Sequence, residues 1–265
     1  MRASAFSPAY DPARERSWHL SIQTSTASGG WCVHDLATGR CVALCADQST
    51  ALPEEGRLPL RPARVSFTVL PELSTLVPES ALAPGSEAGH LRTVHGILPT
   101  GLLRDEPIGA LGARCVYLHN EAVEQRLLGR FPSARPLPMR AVLVHVALDR
   151  SVDKTAALIH RTAERLDLAI ARGQQLLLSN TFHAATPEDV LYYVLYALEQ
   201  CGTRPDNVSG LIAGTHLTGT EEDLLKKYLP DIGPAITPSD PNLAGLDLDR
   251  PHRFTALLEQ QACAS

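Results

Sequence analysis

"HLSIQTSTASGGWCVHDLATGRCVAL", residues 19–44, is the stretch that decides the fold. Apolar residues alternate through Leu20 and Ile22, again through Trp31 and Val33 up to Asp35, and again through Val42 and Leu44. Period two marks a strand with one face against a core. "ATGR" at 37–40 reads as a tight turn, since Gly39 can take the positive φ that such a connection needs. "TSTASGG" at 24–30 is a second connection, built from small residues. The stretch is a three-stranded meander, and the fold starts near Trp18.

Upstream of it, residues 1–16 are polar and turn-rich and read as a loose N-terminal arm. Downstream, residues 51–114 are rich in Pro and Gly, with one strand from Val65 to Leu70 and a short helix after it. "CVYL" at 115–118 reads as a strand, and "NEAVEQRLLGRF" at 120–131 as a helix capped by Asn120 and stopped by Pro132. "PSARPLP" is a linker. The second half restarts the pattern with strands "RAVLVHVAL" (140–148), "LDLAIAR" (166–172) and "QLLLSNTF" (175–182), with Gly173 in a turn. A short helix is expected within 151–165, from the spacing of Val152, Ala156, Ile159 and Ala163. The clearest helix is "TPEDVLYYVLYALEQCG" at 186–202. Thr186 caps it, Pro187 suits its first turn, Glu188 and Asp189 favour the positive end of its dipole, and Gly202 closes it. A strand at 208–214, a helix at 220–229 with Thr220 as its cap, and a helix near 254–262 complete the chain. The expected fold class is α/β with two lobes, 17–135 and 136–265, each holding a mixed sheet that begins in a three-stranded meander.

A chain of 265 residues with 44% hydrophobic and 20% charged residues folds around a substantial core. The net charge of -5 and the lack of a Lys/Arg cluster do not fit nucleic-acid binding. The most apolar runs, 141–148 and 190–198, fall far short of the roughly 20 residues a bilayer needs, so no membrane insertion is expected. The first 18 residues have no continuous apolar segment of the signal-peptide kind, which predicts a cytoplasmic protein whose six Cys are thiols.

The two meanders, the block "NTFHAATPEDVLYYVLYALEQ" and the tail "GLIAGTHLTGTEEDLLKKYL" resemble a bacterial domain-of-unknown-function family with a degenerate actin-like ATPase (ribonuclease H-like) fold. The resemblance spans about 16–235 and is strongest over 166–229. It implies two lobes. In actin-like ATPases two β-turns grip the phosphates, and a Gly-Gly pair after a later strand admits the adenosine. The first turn carries Asp-x-Gly-Thr or Asp-x-Gly-Ser. Here Ser21 takes the Asp position, Gln23 the Gly position and Thr24 the hydroxyl position. A serine supplies no charge for magnesium, and a glutamine side chain stands where a bare backbone is wanted. At the second turn the pattern wants Asp-x-Gly-Gly, and the chain offers His145, Val146 and Ala147. At the adenosine position only Gly214 remains, beside Ala213 and before Thr215. Thr24, Ser25, Gly29, Gly214 and Thr215 are thus the residues at degenerate nucleotide positions. The expectation is no cofactor and no catalytic residue, the alternative being ATP with Mg²⁺.

Cys32, His34, Cys41 and Cys45 form a second candidate cluster. A pairing centred on the 37–40 turn sets Cys32 opposite Cys45 and Leu36 opposite Cys41, with all four candidates on one face. Their spacings are not those of zinc fingers, and parallel strand side chains make a poor tetrahedron. They read as buried thiols filling apolar space, with no metal. Ten His, among them 145, 160, 183 and 216, come without a His-Glu-x-x-His or Cys-x-x-Cys pattern, and no Gly-x-Ser-x-Gly elbow is present. Thr218 and Thr220 precede a helix and are explained by N-capping. Tyr192, Tyr193 and Tyr196 read as core or lobe-interface residues. Two function classes follow: a non-catalytic interaction or scaffold module binding another protein, or an ATP-binding enzyme rewired to use carboxylates such as Asp35 or Asp149. Neither names a partner or an oligomeric state.

Overall fold

A computed structural model describes residues 2–14, 16–26, 28–49 and 51–264. The chain divides into two compact units. The first holds residues 1–141, 238–249 and 257–265, and the second 142–237 and 250–256. Two C-terminal segments, expected in the second lobe, thus group with the first unit.

In the first unit the expected meander forms. Strand β1 is Arg2–Phe6, β2 Trp18–Thr24, β3 Gly29–Asp35, β4 Cys41–Asp47 and β5 Arg64–Val69. Together with β9 (Arg135–Pro136) they make a six-stranded sheet in the order β1-β4-β3-β2-β5-β9. Strand β5 runs parallel to β2, while the β1–β4, β4–β3 and β3–β2 pairs are antiparallel. The segment expected to be a loose arm is corrected at its start: β1 pairs with β4 from Arg2↔Asp47 to Phe6↔Ala43. The edge of β4 would otherwise present unpaired backbone groups, and β1 satisfies them. Gly39 takes φ 72° in the turn, as the sequence predicts.

One face of this sheet is the apolar core. Trp18, Leu20, Ile22, Trp31, Val33, Phe67 and Val69 pack with Val123, Leu127 and Phe131. The latter three come from α2 (Glu121–Arg130) and the residue that ends it. Asn120 caps α2, its side chain accepting from the Val123 N–H at 3.1 Å. Before α2 lie β6 (Leu73–Pro78), α1 (Glu87–His95), β7 (Leu102–Ile108) and β8 (Ala113–His119). Strands β6, β8 and β7 form a separate sheet in that order, with its own core of Val77, Leu91, Val116 and Leu118.

Two expectations for the second half are corrected. "RAVLVHVAL" is not a strand: α3 spans Met139–Asp149. The segment expected to be helical is strand β10, Thr155–Thr162. A short apolar run does not distinguish a buried helix from a buried strand, and distant residues decide both cases. The N-terminus of α3 is capped by Glu72, whose carboxylate accepts from Met139 N at 2.7 Å. Strand β10 lies between two neighbours with nearly every residue buried, so it shows no clean alternation. It pairs with β11 (Arg165–Arg172), which pairs with β12 (Gln175–His183). Helix α4 (Pro187–Gln200), β13 (Val208–Ala213), α5 (Gly219–Tyr228) and β14 (Ile232–Pro234) follow. The sheet order is β12-β11-β10-β13-β14. It repeats β4-β3-β2-β5 of the first unit: a meander whose first strand also pairs in parallel with a later strand.

Helix α4 has the expected cap. Thr186 Oγ1 accepts from Asp189 N at 3.1 Å while Asp189 accepts from Thr186 N at 2.9 Å. Helix α5 is capped by Thr218 rather than Thr220, through the same reciprocal arrangement with Glu221. The final helix breaks into α6 (Thr255–Leu258) and α7 (Gln260–Cys263).

Candidate functional site

The turn between β2 and β3 is closed by its own chain. Ser25 N donates to Ser28 O at 2.8 Å, and Ser28 N donates to Ser25 Oγ at 2.9 Å. Thr24 Oγ1 donates to the Ala51 carbonyl at 2.8 Å. Gly29 faces the same carbonyl: a Cβ there would lie 2.0 Å from Ala51 O. Glycine is required at this position because a neighbouring backbone crosses it, and the space beside it is already filled. Ser21 and Gln23, at the Asp and Gly positions of the nucleotide pattern, lie within β2, where Ser21 is fully buried.

The second turn is not where the sequence pattern places it. His145, Val146 and Ala147 lie on α3, with His145 exposed. The first turn of the second meander is Thr162 to Arg165, between β10 and β11, with Ala163 at φ 47° and no glycine. Its carboxylate, Glu164, is 71% exposed and lies 3.7 Å from His183. Gly214 follows β13 with φ 96°, and a Cβ on it would lie 2.2 Å from Arg161 O. Its N–H donates to His252 O at 3.1 Å. Thr215 Oγ1 is bonded to His216 Nδ1 at 2.8 Å. As at Gly29, close approach of the chain itself accounts for the glycine. Asp35 Oδ1 accepts from Ala37 N at 2.8 Å and Thr38 N at 3.3 Å in the hairpin turn, and Asp149 is 71% exposed beside Arg150.

The cysteine cluster differs from the expected one in a single, informative way. The register sets Trp31 opposite Cys45, Cys32 opposite Leu44 and Val33 opposite Ala43, then shifts so that His34 is opposite Cys41. Cys45 therefore shares the face of Trp31 and belongs to the apolar core. The irregularity between Val33 and His34 gives β4 one extra residue, Val42. That residue reverses the alternation and brings Cys41 to the side of Cys32 and His34. The ligating atoms of Cys32, His34 and Cys41 all lie within 4.8 Å of one another, and all three residues are buried. Cys32 Sγ is 3.9 Å from His34 Nδ1 and donates to Leu257 O at 3.3 Å. Burial, with His19 nearby, pushes the His34 imidazole down to about 3, so it is neutral, and burial pushes the Cys32 thiol up.

A second buried cluster lies around the three-stranded sheet. His119 Nδ1 is 2.9 Å from Glu124 and its Nε2 is 3.8 Å from Glu72. Arg104 Nε donates to Glu124 at 2.8 Å, and Arg140 Nε donates to Ser74 Oγ at 2.9 Å. Burial lowers the His119 pKa, but the two carboxylates outweigh it and the net shift is upward. Burial raises Glu124, and His119 and Arg104 together hold it below the ordinary carboxylate value. No sequence signal points to this cluster, because Glu72, His119 and Glu124 stand in no spaced motif.

Among the described residues no helix is long and apolar enough to cross a membrane. No curated protein matches the sequence. A protein of unknown function with an actin-like ATPase fold from Bacteroides thetaiotaomicron is similar at 17% identity and a TM-score of 0.77, over 94% of this chain and 98% of that one. A chain of the PilM–PilN type IV pilus biogenesis complex is similar at 12% identity and a TM-score of 0.52, over 93% and 98% of the two chains. The cytoplasmic domain of EpsL, an inner-membrane component of the type II secretion system of Vibrio cholerae, reaches 14% identity and a TM-score of 0.48, over 94% and 96%. The fold is that of the actin-like ATPases. The family model described as Protein of unknown function (DUF3822) matches residues 63–232, well over half of the chain, and the chain belongs to that family.

Proposed function

We propose that the protein is a non-catalytic module of actin-like fold that acts by binding another protein and has lost ATP hydrolysis. The observation that carries this reading is the Ala51 carbonyl beside Gly29: it fills the space that a phosphate would need and accepts the Thr24 hydroxyl as well. Close backbone approach to a phosphate needs an open glycine and free N–H groups, and at this turn Ser25 N and Ser28 N are already bonded within the loop. Ser21 brings no carboxylate to order the waters of a magnesium ion, and the turn from Thr162 to Arg165 has no glycine. The rewired-enzyme reading draws no support from Asp35, which is engaged in its own hairpin, or from Asp149, which is paired with its neighbour in solvent.

Support for the binding role comes from the exposed aromatic surface of α4. Tyr192 and Tyr196 stack at 5.9 Å between ring centroids and are 61% and 46% exposed. Tyrosines with an apolar ring and a polar tip are enriched where one protein meets another. A fold relative, the PilM–PilN chain, is itself found in a protein complex. The test is isothermal titration of the full chain with ATP and Mg²⁺. The expected outcome is no binding tighter than about 100 µM, or ~5.5 kcal/mol. Tighter binding that yields ADP would overturn the non-catalytic reading.

A further inference from the structure

We propose that Cys32, Cys41 and His34 form a binding site for a divalent thiophilic cation, zinc, with the Ser21 hydroxyl at the fourth position. Three observations carry it. The first is the donor set: two sulfurs and an imidazole nitrogen within 4.8 Å of one another, all buried. Zinc–sulfur and zinc–nitrogen bonds of about 2.3 and 2.0–2.1 Å require donors roughly 3.4–3.8 Å apart in a tetrahedron. The 3.9 Å between Cys32 Sγ and His34 Nδ1 is nearly there already. The remaining donor separations, all within 4.8 Å, must close by about 1 Å at most.

The second observation is the bulge. A regular β4 would place Cys41 with Ala43 and Cys45 on the core side, where thiols act as apolar filler. The extra residue at Val42 breaks the ladder and turns Cys41 toward Cys32 and His34. It also answers the objection that strands hold side chains too nearly parallel for a tetrahedron, since a bulge redirects one side chain relative to its neighbours.

The third is the surrounding polar face. Ser21 faces Cys32 across the β2–β3 pair. Its buried hydroxyl has no hydrogen-bond partner, and neither has Nδ1 of His19, the cross-strand neighbour of His34. Buried polar atoms are nearly always satisfied, so a group of them beside three metal-ligating side chains marks a site built for something more. The charge count selects a divalent ion. Two thiolates and a neutral imidazole around M²⁺ sum to zero, with two protons released to solvent on binding. A monovalent ion would leave a buried negative charge, with Glu259 already adding to the negative potential at Cys32.

The test is metal analysis of the full chain, produced without a histidine tag in zinc-supplemented medium and purified without chelator. One zinc per chain is expected in the unmodified protein and in Cys45→Ser, because Cys45 lies on the opposite face. Cys32→Ser and Cys41→Ser should each lose affinity by more than about 100-fold, beyond what changing a neighbour of a ligand produces. Because either variant can fail to fold, cobalt(II) is also titrated into chelator-treated unmodified protein, where thiolate-to-cobalt charge-transfer absorption is expected. Protein that carries no zinc and gives no such band overturns the proposal. So does zinc lost as readily in Cys45→Ser as in Cys41→Ser, or binding of copper(I) alone.

Discussion

The first unit contains two buried polar clusters that are equally removed from water and chemically opposite. Around Glu72, His119 and Glu124, each side chain has an oppositely charged or hydrogen-bonding partner, although His119 Nε2, 3.8 Å from Glu72, makes no hydrogen bond, and Glu72 also caps α3 through Met139 N. Around Cys32, His34 and Cys41 the groups are neutral donors, with Ser21 and His19 beside them incompletely satisfied. A network whose members complete one another is cement: its charges are costly to bury singly and stable only together. The two thiols give their protons to backbone carbonyls, Leu257 O and Ala43 O, and not to one another's sulfur, so the cluster does not complete itself. The contrast separates a cluster that holds the fold from one arranged to receive a ligand.

Glu72 is where that contrast is most exposed to refutation. Replacing it with Ala removes the cap of α3 and one of the two carboxylates that raise the His119 pKa, an expected loss of about 3–5 kcal/mol. Glu72→Gln, which keeps an acceptor for Met139 N, should recover part of it. Urea unfolding of the two variants measures the difference. A loss in Glu72→Ala no larger than that of an ordinary surface substitution would show that the ionic cluster is not cement.

The same cluster predicts a pH profile. His119 has a raised folded pKa, so its contribution is fully present below its unfolded value of about 6.5 and is lost as pH rises through the folded value. Glu124 has a lowered folded pKa, so its contribution is present above about 4.5 and is lost as pH falls through the folded value. Stability from this pair is therefore greatest between roughly pH 4.5 and 6.5, and each tenfold change in proton affinity on folding contributes about 1.4 kcal/mol. His119→Gln should remove the decline on the alkaline side, followed by thermal unfolding across pH. A decline of unchanged size in that variant would place its origin elsewhere.

What is legible in the sequence follows the range of the interaction that fixes each element. Helices α2 and α4 are legible because their caps, Asn120 and the Thr186–Asp189 pair, lie within the turn they satisfy. Helix α3 is not, because its cap is Glu72, 67 residues earlier. Strand β10 is hidden by burial between two neighbouring strands, which erases the alternation that marks β2 and β3. The actin-like fold is legible through the family resemblance as much as through the two meanders, even with the first strand of the second meander misplaced. At the sites the same rule applies. That Gly29 and Gly214 belong to backbone crossings by Ala51 and Arg161 is tertiary information. The cysteine and histidine positions are visible as a group, but their sides of the sheet are not, because one extra residue at Val42 sets Cys41 rather than Cys45 beside Cys32.

A more modest change probes the under-satisfied face directly. Thr68 on β5 alternates with Phe67 and Val69 of the apolar core, so it points to the same side as Ser21 and Cys32, and its Oγ1 is buried without a hydrogen-bond partner. Thr68→Val keeps the β-branched shape and removes the stranded hydroxyl. An unpaired buried hydroxyl costs about 1–3 kcal/mol, so the variant should be more stable by about 1 kcal/mol in urea unfolding. On the ionic cluster the analogous deletion, Glu72→Ala, is expected to do the reverse. If Thr68→Val instead loses stability by a comparable amount, the hydroxyl has a partner in solution, and this face of the sheet is as self-sufficient as the network around His119.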